Sequence, residues 1–166
     1  MSKIISNTSP LITLSMIGKL NLLWELFNEV YIPKAVYNEI MNAEHEDDYA
    51  KQEIKSAVGS GNISIYNVKD EILTRKILGR MHAGEVETIV GGIELNVSFV
   101  LIDERTARNS AKSFLLTPIG TLGVLRIAKR KGKIRKIKPL IDILLKNGYR
   151  ISKTIYNDVL QKEDEI

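Results

Sequence analysis

The chain has 166 residues, 44% of them hydrophobic and 27% charged, and it contains no cysteine, which excludes disulfide scaffolds, thiolate zinc sites and cysteine nucleophiles. That length suits one domain over residues 1–166, large enough to bury a core without covalent staples. Lys+Arg 24 against Asp+Glu 20 leaves a formal charge of +4. No basic-then-apolar leader pattern and no apolar run of membrane-spanning length is present, so a cytoplasmic protein is expected.

Lys3 to Ser6 reads as a buried strand that breaks into Asn7-Thr8-Ser9-Pro10 before a helix carrying Leu11, Leu14 and Ile17. Asn7 therefore stands at the carboxyl end of a first strand. Gly18 caps that helix, and Leu20 to Phe27 form a second, strongly apolar one. Val30 to Ile32 make a strand closed by Pro33, which opens a helix with Val36 and Ile40 facing inward. Glu39 lies on the edge of that inward face.

The stretch from His45 to Gly61 is polar and then helical, with Ala50, Ile54 and Val58 at helical spacing. Ile63 and Ile65 alternate as a half-buried strand, and a helix with Ile72, Leu73, Ile77 and Leu78 ends at Gly79. A further helix opens at Gly84-Glu85, with Val86, Ile89, Val90 and Ile93 as its expected buried face. Glu85 and Glu87 flank that face on opposite sides, and periodicity does not choose between them. Gly91 and Gly92 would let this helix approach a sheet closely.

Ser98 to Ile102 is the clearest strand, with Asp103 at its carboxyl end as either a site acid or the cap of a helix running from Glu104 to Phe114. Leu115 to Ile119 leads to Gly120-Thr121-Leu122-Gly123, where Thr121 is a cap or a hydroxyl at the same edge. Helices follow through Leu122–Ala128, Leu140–Leu145 and, capped by Ser152, to about Leu160. The tail over 161–166 is expected to fray. From Thr106 to Ile141 there is no acid, while Arg126, Lys129, Arg130, Lys131, Lys133 and Arg135 fall in that window. Such a block is either a solvated face or an electrostatic footprint for a polyanion.

Strands alternating with helices imply an α/β fold with a parallel sheet, and right-handed crossovers bring the strand ends to one side. Asn7, Glu39, Glu85 or Glu87, and Asp103 can then converge. Clustered carboxylates are tolerated mainly beside a cation, and oxygen-only ligands favour Mg2+ or Mn2+. Metal-dependent hydrolysis of nucleic acid follows as the expected chemistry. No glycine fingerprint for nucleotides follows the first strand. Ser9 has no evident base, which leaves His45 and His82 as incidental.

Taken in order, Ile5-Ser6-Asn7-Thr8-Ser9-Pro10-Leu11, Glu39-Ile40, Gly84-Glu85, Leu101-Ile102-Asp103-Glu104-Arg105 and Gly120-Thr121-Leu122-Gly123 resemble the motifs of PIN-domain proteins. The chain is similar to a prokaryotic branch described as predicted nucleic-acid-binding proteins. The resemblance implies a three-layer sandwich around a parallel sheet and a Mg2+ or Mn2+ ribonuclease like the toxins of VapBC toxin–antitoxin pairs. It implies metal ligands at Asn7, Glu39, Glu85 and Asp103, with Thr8, Ser9 and Thr121 as supporting hydroxyls. RNA is the implied substrate, held by the basic block, and a small antitoxin protein the implied partner.

Asn7 stands where the usual residue is aspartate. It offers a carbonyl oxygen but neither charge nor proton affinity. The alternative reading is therefore a non-catalytic RNA-binding or regulatory protein on the same scaffold. Apolar helices at both ends of the chain favour a homodimer.

Overall fold

The computed structural model describes residues 2–44 and 48–166, and His45 lies outside them. Five strands form one sheet in the order β3-β2-β1-β4-β5, all parallel. They are β1 (Lys3–Ser6), β2 (Glu29–Pro33), β3 (Ser64–Tyr66), β4 (Phe99–Leu101) and β5 (Pro118–Ile119). Ten helices accompany them among the described residues: α1 (Thr8–Met16), α2 (Leu22–Leu26), α3 (Lys34–Asn42), α4 (Asp48–Gly59), α5 (Glu71–Leu78), α6 (Ala83–Leu95), α7 (Arg105–Ser113), α8 (Thr121–Arg130), α9 (Lys138–Lys146) and α10 (Lys153–Lys162). The α/β sandwich expected from the alternation of strands and helices is what the chain forms.

Strand alternation builds the two faces. Ile4 and Leu101 enter the larger core, which extends through Leu11, Ile32 and Ile54 to Leu160. Ile5, Val100 and Ile102 point the other way, into a smaller core with Ile89, Ala107 and Ala111. Each such fully buried aliphatic side chain contributes roughly 1.5–3 kcal/mol of transfer free energy.

Helix α6 lies close against the smaller face because two of its residues lack side chains. A Cβ on Gly91 would fall 2.7 Å from Ile5 Cδ1, and one on Gly92 would fall 2.8 Å from Val100 Cγ1. That seating differs from the expected face in one residue. Ile93 is 37% exposed, because the glycines and not Ile93 meet the sheet.

The tail does not fray as expected. Glu163 is buried, and its carboxylate accepts hydrogen bonds from Arg126 Nε at 2.8 Å and Arg130 Nη2 at 2.7 Å. Glu165 accepts from Lys129 Nζ and from the backbone N–H of Ile137, each at 2.8 Å. Two charged hydrogen-bonded clusters thus fasten the end of the chain to α8 and to the start of α9.

Candidate active site

The strand order reverses direction at β1, whose neighbours are β2 on one side and β4 on the other. The crevice outside the carboxyl ends of β1 and β4 is the position where open α/β sheets bind ligands. Asn7 sits at its mouth, its backbone N–H donating to Leu101 O at 3.0 Å and so tying the two strand ends together. It occupies the cap position of α1 without bonding that helix through its side chain, so the amide is left to face the crevice.

Three further elements bring side chains to the same place. Glu39, from α3, accepts a 2.8 Å hydrogen bond from Thr8 Oγ1 into Oε2. Glu85, in the first turn of α6, is 7% exposed and accepts the His82 backbone N–H at 3.2 Å. A Cβ placed on Gly84 would lie 3.1 Å from Glu39 Oε2 and 3.3 Å from Asn7 Oδ1. Two oxygens from distant segments are therefore aimed at one point above a glycine. Asn7, Glu39, Glu85, Thr8, Ser9 and His82 line a common cavity of about 400 Å3.

Glu85 and Glu87 each accept a backbone N–H at a helix start, but they stand in different surroundings. Glu87 Oε1 accepts the Ala35 N–H at 3.2 Å, at the amino end of α3. Glu87 stands outside the cavity, whereas Glu85 lines it.

Asp103 departs from its expected place in two respects. It does not cap α7: Glu104 does, accepting the Ala107 N–H at 2.8 Å. Nor does Asp103 line the cavity of Glu39 and Glu85. Its carboxylate receives the Thr121 backbone N–H at 2.8 Å and the Thr121 hydroxyl at 2.7 Å, at the start of α8. It lines a neighbouring cavity of about 560 Å3 with Arg108 and Tyr149. Burial, with the Asp103 charge beside it, pushes the Tyr149 phenol above its ordinary value.

The acid that reaches the first cavity from this segment is Glu104. Partial desolvation pushes its carboxyl up, but N–H donors of Ala107 and Thr106, with the adjoining Glu85 carboxyl, outweigh that and hold it below the usual range. Propensity pointed away from it, since aspartate is the stronger helix cap. His82, expected to be incidental, also borders the cavity.

The basic residues divide into two groups. Arg126 and Arg130 are paired with Glu163, and Lys129 with Glu165. Lys131, Lys133 and Arg135 are exposed and form no ion pair among the described residues. Half of the expected footprint is thereby engaged in holding the tail.

No helix among the described residues is long and apolar enough to cross a membrane. No curated protein matches the chain. A family model named DUF3368 and described as a PIN domain matches residues 3–165. PIN domains are a nuclease-class, nucleic-acid-binding fold that generally uses divalent metal ions, in keeping with oxygen donors gathered at the switch point of a parallel sheet. With nearly its whole length under that match, the chain belongs to the DUF3368 family of PIN domains.

Proposed function

We propose that the protein is a divalent-metal-dependent endoribonuclease whose reaction centre is the crevice of Asn7, Glu39, Glu85 and Glu104. The observation that carries this reading is the approach of Asn7 Oδ1 and Glu39 Oε2 to one point above Gly84. Among the described residues no three of His, Cys, Asp and Glu stand together as a closed cation cage. Mg2+ is usually held by one or two carboxylates, its own waters and substrate phosphate oxygens, so an open crevice with few converging oxygens suits it, or Mn2+.

A bound ion of this kind supplies Lewis-acid polarisation of a phosphate and an acidified water. The chain's own residues do the rest. Glu39, fixed by Thr8, and Asn7 hold and orient. Glu85, buried beside them, would take the proton that the attacking water gives up. Asp103 and Thr121 act as a positioning pair that anchors α8 against the end of β4.

The test is cleavage of a synthetic single-stranded RNA with Mg2+ or Mn2+, against EDTA and against folded Glu39→Gln and Glu85→Gln. Loss of about 100-fold or more in both variants is expected, on the scale of removed acid–base or ligand groups. Equal cleavage by wild type and both variants, or cleavage that survives EDTA, would sink the proposal.

Asn7 and the engagement of Asp103 by Thr121 favour a second reading, an RNA-binding protein that does not cleave. It predicts RNA retention that is indifferent to EDTA, with the strand left intact. The likeness to VapBC toxins extends the first reading to a toxin paired with a small antitoxin, tested by whether a neighbouring short reading frame encodes an inhibitor. Exposed Ile143 and Leu145 of α9 support a homodimer, which light scattering would detect.

A further inference from the structure

Three cavities on one side of the molecule share their borders. The acidic crevice and a cavity of about 270 Å3 have Ser9 and Thr13 of α1 in common. That second cavity and the 560 Å3 cavity beside Asp103 have Tyr149 and Arg150 in common. The three form a continuous track from Glu39 and Glu85, over the start of α1, to the mouth between α8 and α10.

Charge changes sign along it. The far cavity is bordered by Arg108, Arg126 and Arg150 against Asp103 and Asp158. Both acids are engaged, Asp103 by Thr121 and Asp158 by Lys162 at 3.0 Å. Arg126 is turned to Glu163, and Arg108 commits one nitrogen, Nη1, to Ile102 O at 2.9 Å. Arg150 is exposed and forms no ion pair among the described residues. Beside these guanidiniums lie Ile151 and Ile155, the latter 48% exposed. Cationic donors next to an uncovered apolar surface match a nucleotide, with its phosphate and its base face.

We infer that the cavity bordered by Arg108, Arg150 and Ile155 is a nucleotide-binding subsite, and that single-stranded RNA lies along the track with a phosphate further along the strand in the acidic crevice. This rests on the nuclease reading for the crevice itself. The apolar surface of Ile151 and Ile155 beside the guanidiniums suits a base face, which an unpaired strand exposes and a duplex keeps stacked inside. The wall of the middle cavity is supplied by the segment around Tyr149 and Arg150, so that segment sets substrate choice.

The experiment is fluorescence anisotropy of a labelled single-stranded RNA and its duplex, in EDTA, over a salt series. Arg150→Glu and Arg108→Gln are compared with Lys76→Glu, a matching charge change on exposed α5. The expected result is tighter binding of the single strand, a loss of about tenfold for Arg150→Glu with a salt slope reduced by about one, and less than a twofold change for Lys76→Glu. Arg108→Gln, which keeps a donor for Ile102 O, should weaken binding in the same direction. Wild-type binding that both arginine variants retain, or a preference for the duplex, would overturn the track while leaving the nuclease reading standing. Binding that depends on Arg150 without cleavage under Mg2+ or Mn2+ would overturn the nuclease reading and support the subsite. Absence of RNA binding by the wild type would overturn the subsite.

Discussion

Asp103 gives both carboxylate oxygens to a single residue, Thr121, whose backbone N–H and hydroxyl approach them at 2.8 and 2.7 Å. The end of β4 is thus stapled to the first turn of α8, eighteen residues later in the chain. A Cβ on Gly120 would fall 2.7 Å from the same Asp103 oxygen, so the staple depends on the glycine that precedes the threonine.

Asp103→Ala is expected to act on stability. It removes two hydrogen bonds to a charged acceptor, worth about 1.5 kcal/mol or more each after the exchange with water, so about 3 kcal/mol together. Urea unfolding at pH 7 measures this, and Thr121→Val should reproduce roughly half of it. An Asp103→Ala protein as stable as wild type would show that the pair is not a staple.

Gly84→Ala separates the site from the scaffold. The new methyl would meet Glu39 Oε2 at 3.1 Å, Val36 Cγ2 at 3.2 Å and Asn7 Oδ1 at 3.3 Å, pushing the two oxygens away from their common point. In a helix the exchange itself favours alanine by up to about 1 kcal/mol. Mn2+ affinity, read by calorimetry, is expected to fall several-fold while the thermal midpoint changes little, the helix gain being offset by the push on buried Val36.

Asn7→Asp restores the charge that the site lacks. It also places a further carboxylate beside Glu39, in a position only 7% exposed. Without metal, repulsion between the two should lower the thermal midpoint, and Mn2+ should bind about tenfold or more tightly and recover the loss. An Asn7→Asp protein that gains no Mn2+ affinity would show that residue 7 does not face the ion.

The tail clamp gives a pH dependence. Burial alone would push the Glu163 carboxyl up, but hydrogen bonds and charge from Arg126 and Arg130 outweigh it and hold the carboxyl below its ordinary 4.5. A group depressed in the folded state contributes stability that is fully present above the unfolded value and is lost as pH falls through the folded one. Stability should therefore decline as pH drops below about 4.5, and Glu163→Gln should flatten that decline while costing about 2 kcal/mol at neutral pH. Urea unfolding at pH 7 and at two values below 4.5 would show both effects.

Periodicity in the chain was enough for the alternation of strands and helices, for Asn7 at the first strand end, and for the pair of glycines that seats α6. These are local properties, because the sheet repeats every two residues and the helix every 3.6, and because only glycine has no Cβ. The order of motifs likewise carried the family. Which acids meet was a different kind of question. Asp103 and Glu104 are adjacent, and both suit a cap, yet one turns to Thr121 and the other to the crevice. Glu85 and Glu87 are two apart on one helix: Glu85 closes a local turn onto the His82 N–H, while the Ala35 N–H that Glu87 meets is brought by packing against α3. The basic block read as one continuous footprint, but Glu163 and Glu165 returned across more than thirty residues to occupy half of it. Charge pairing at such separations depends on where the backbone brings the partners, and only the tertiary structure decides that.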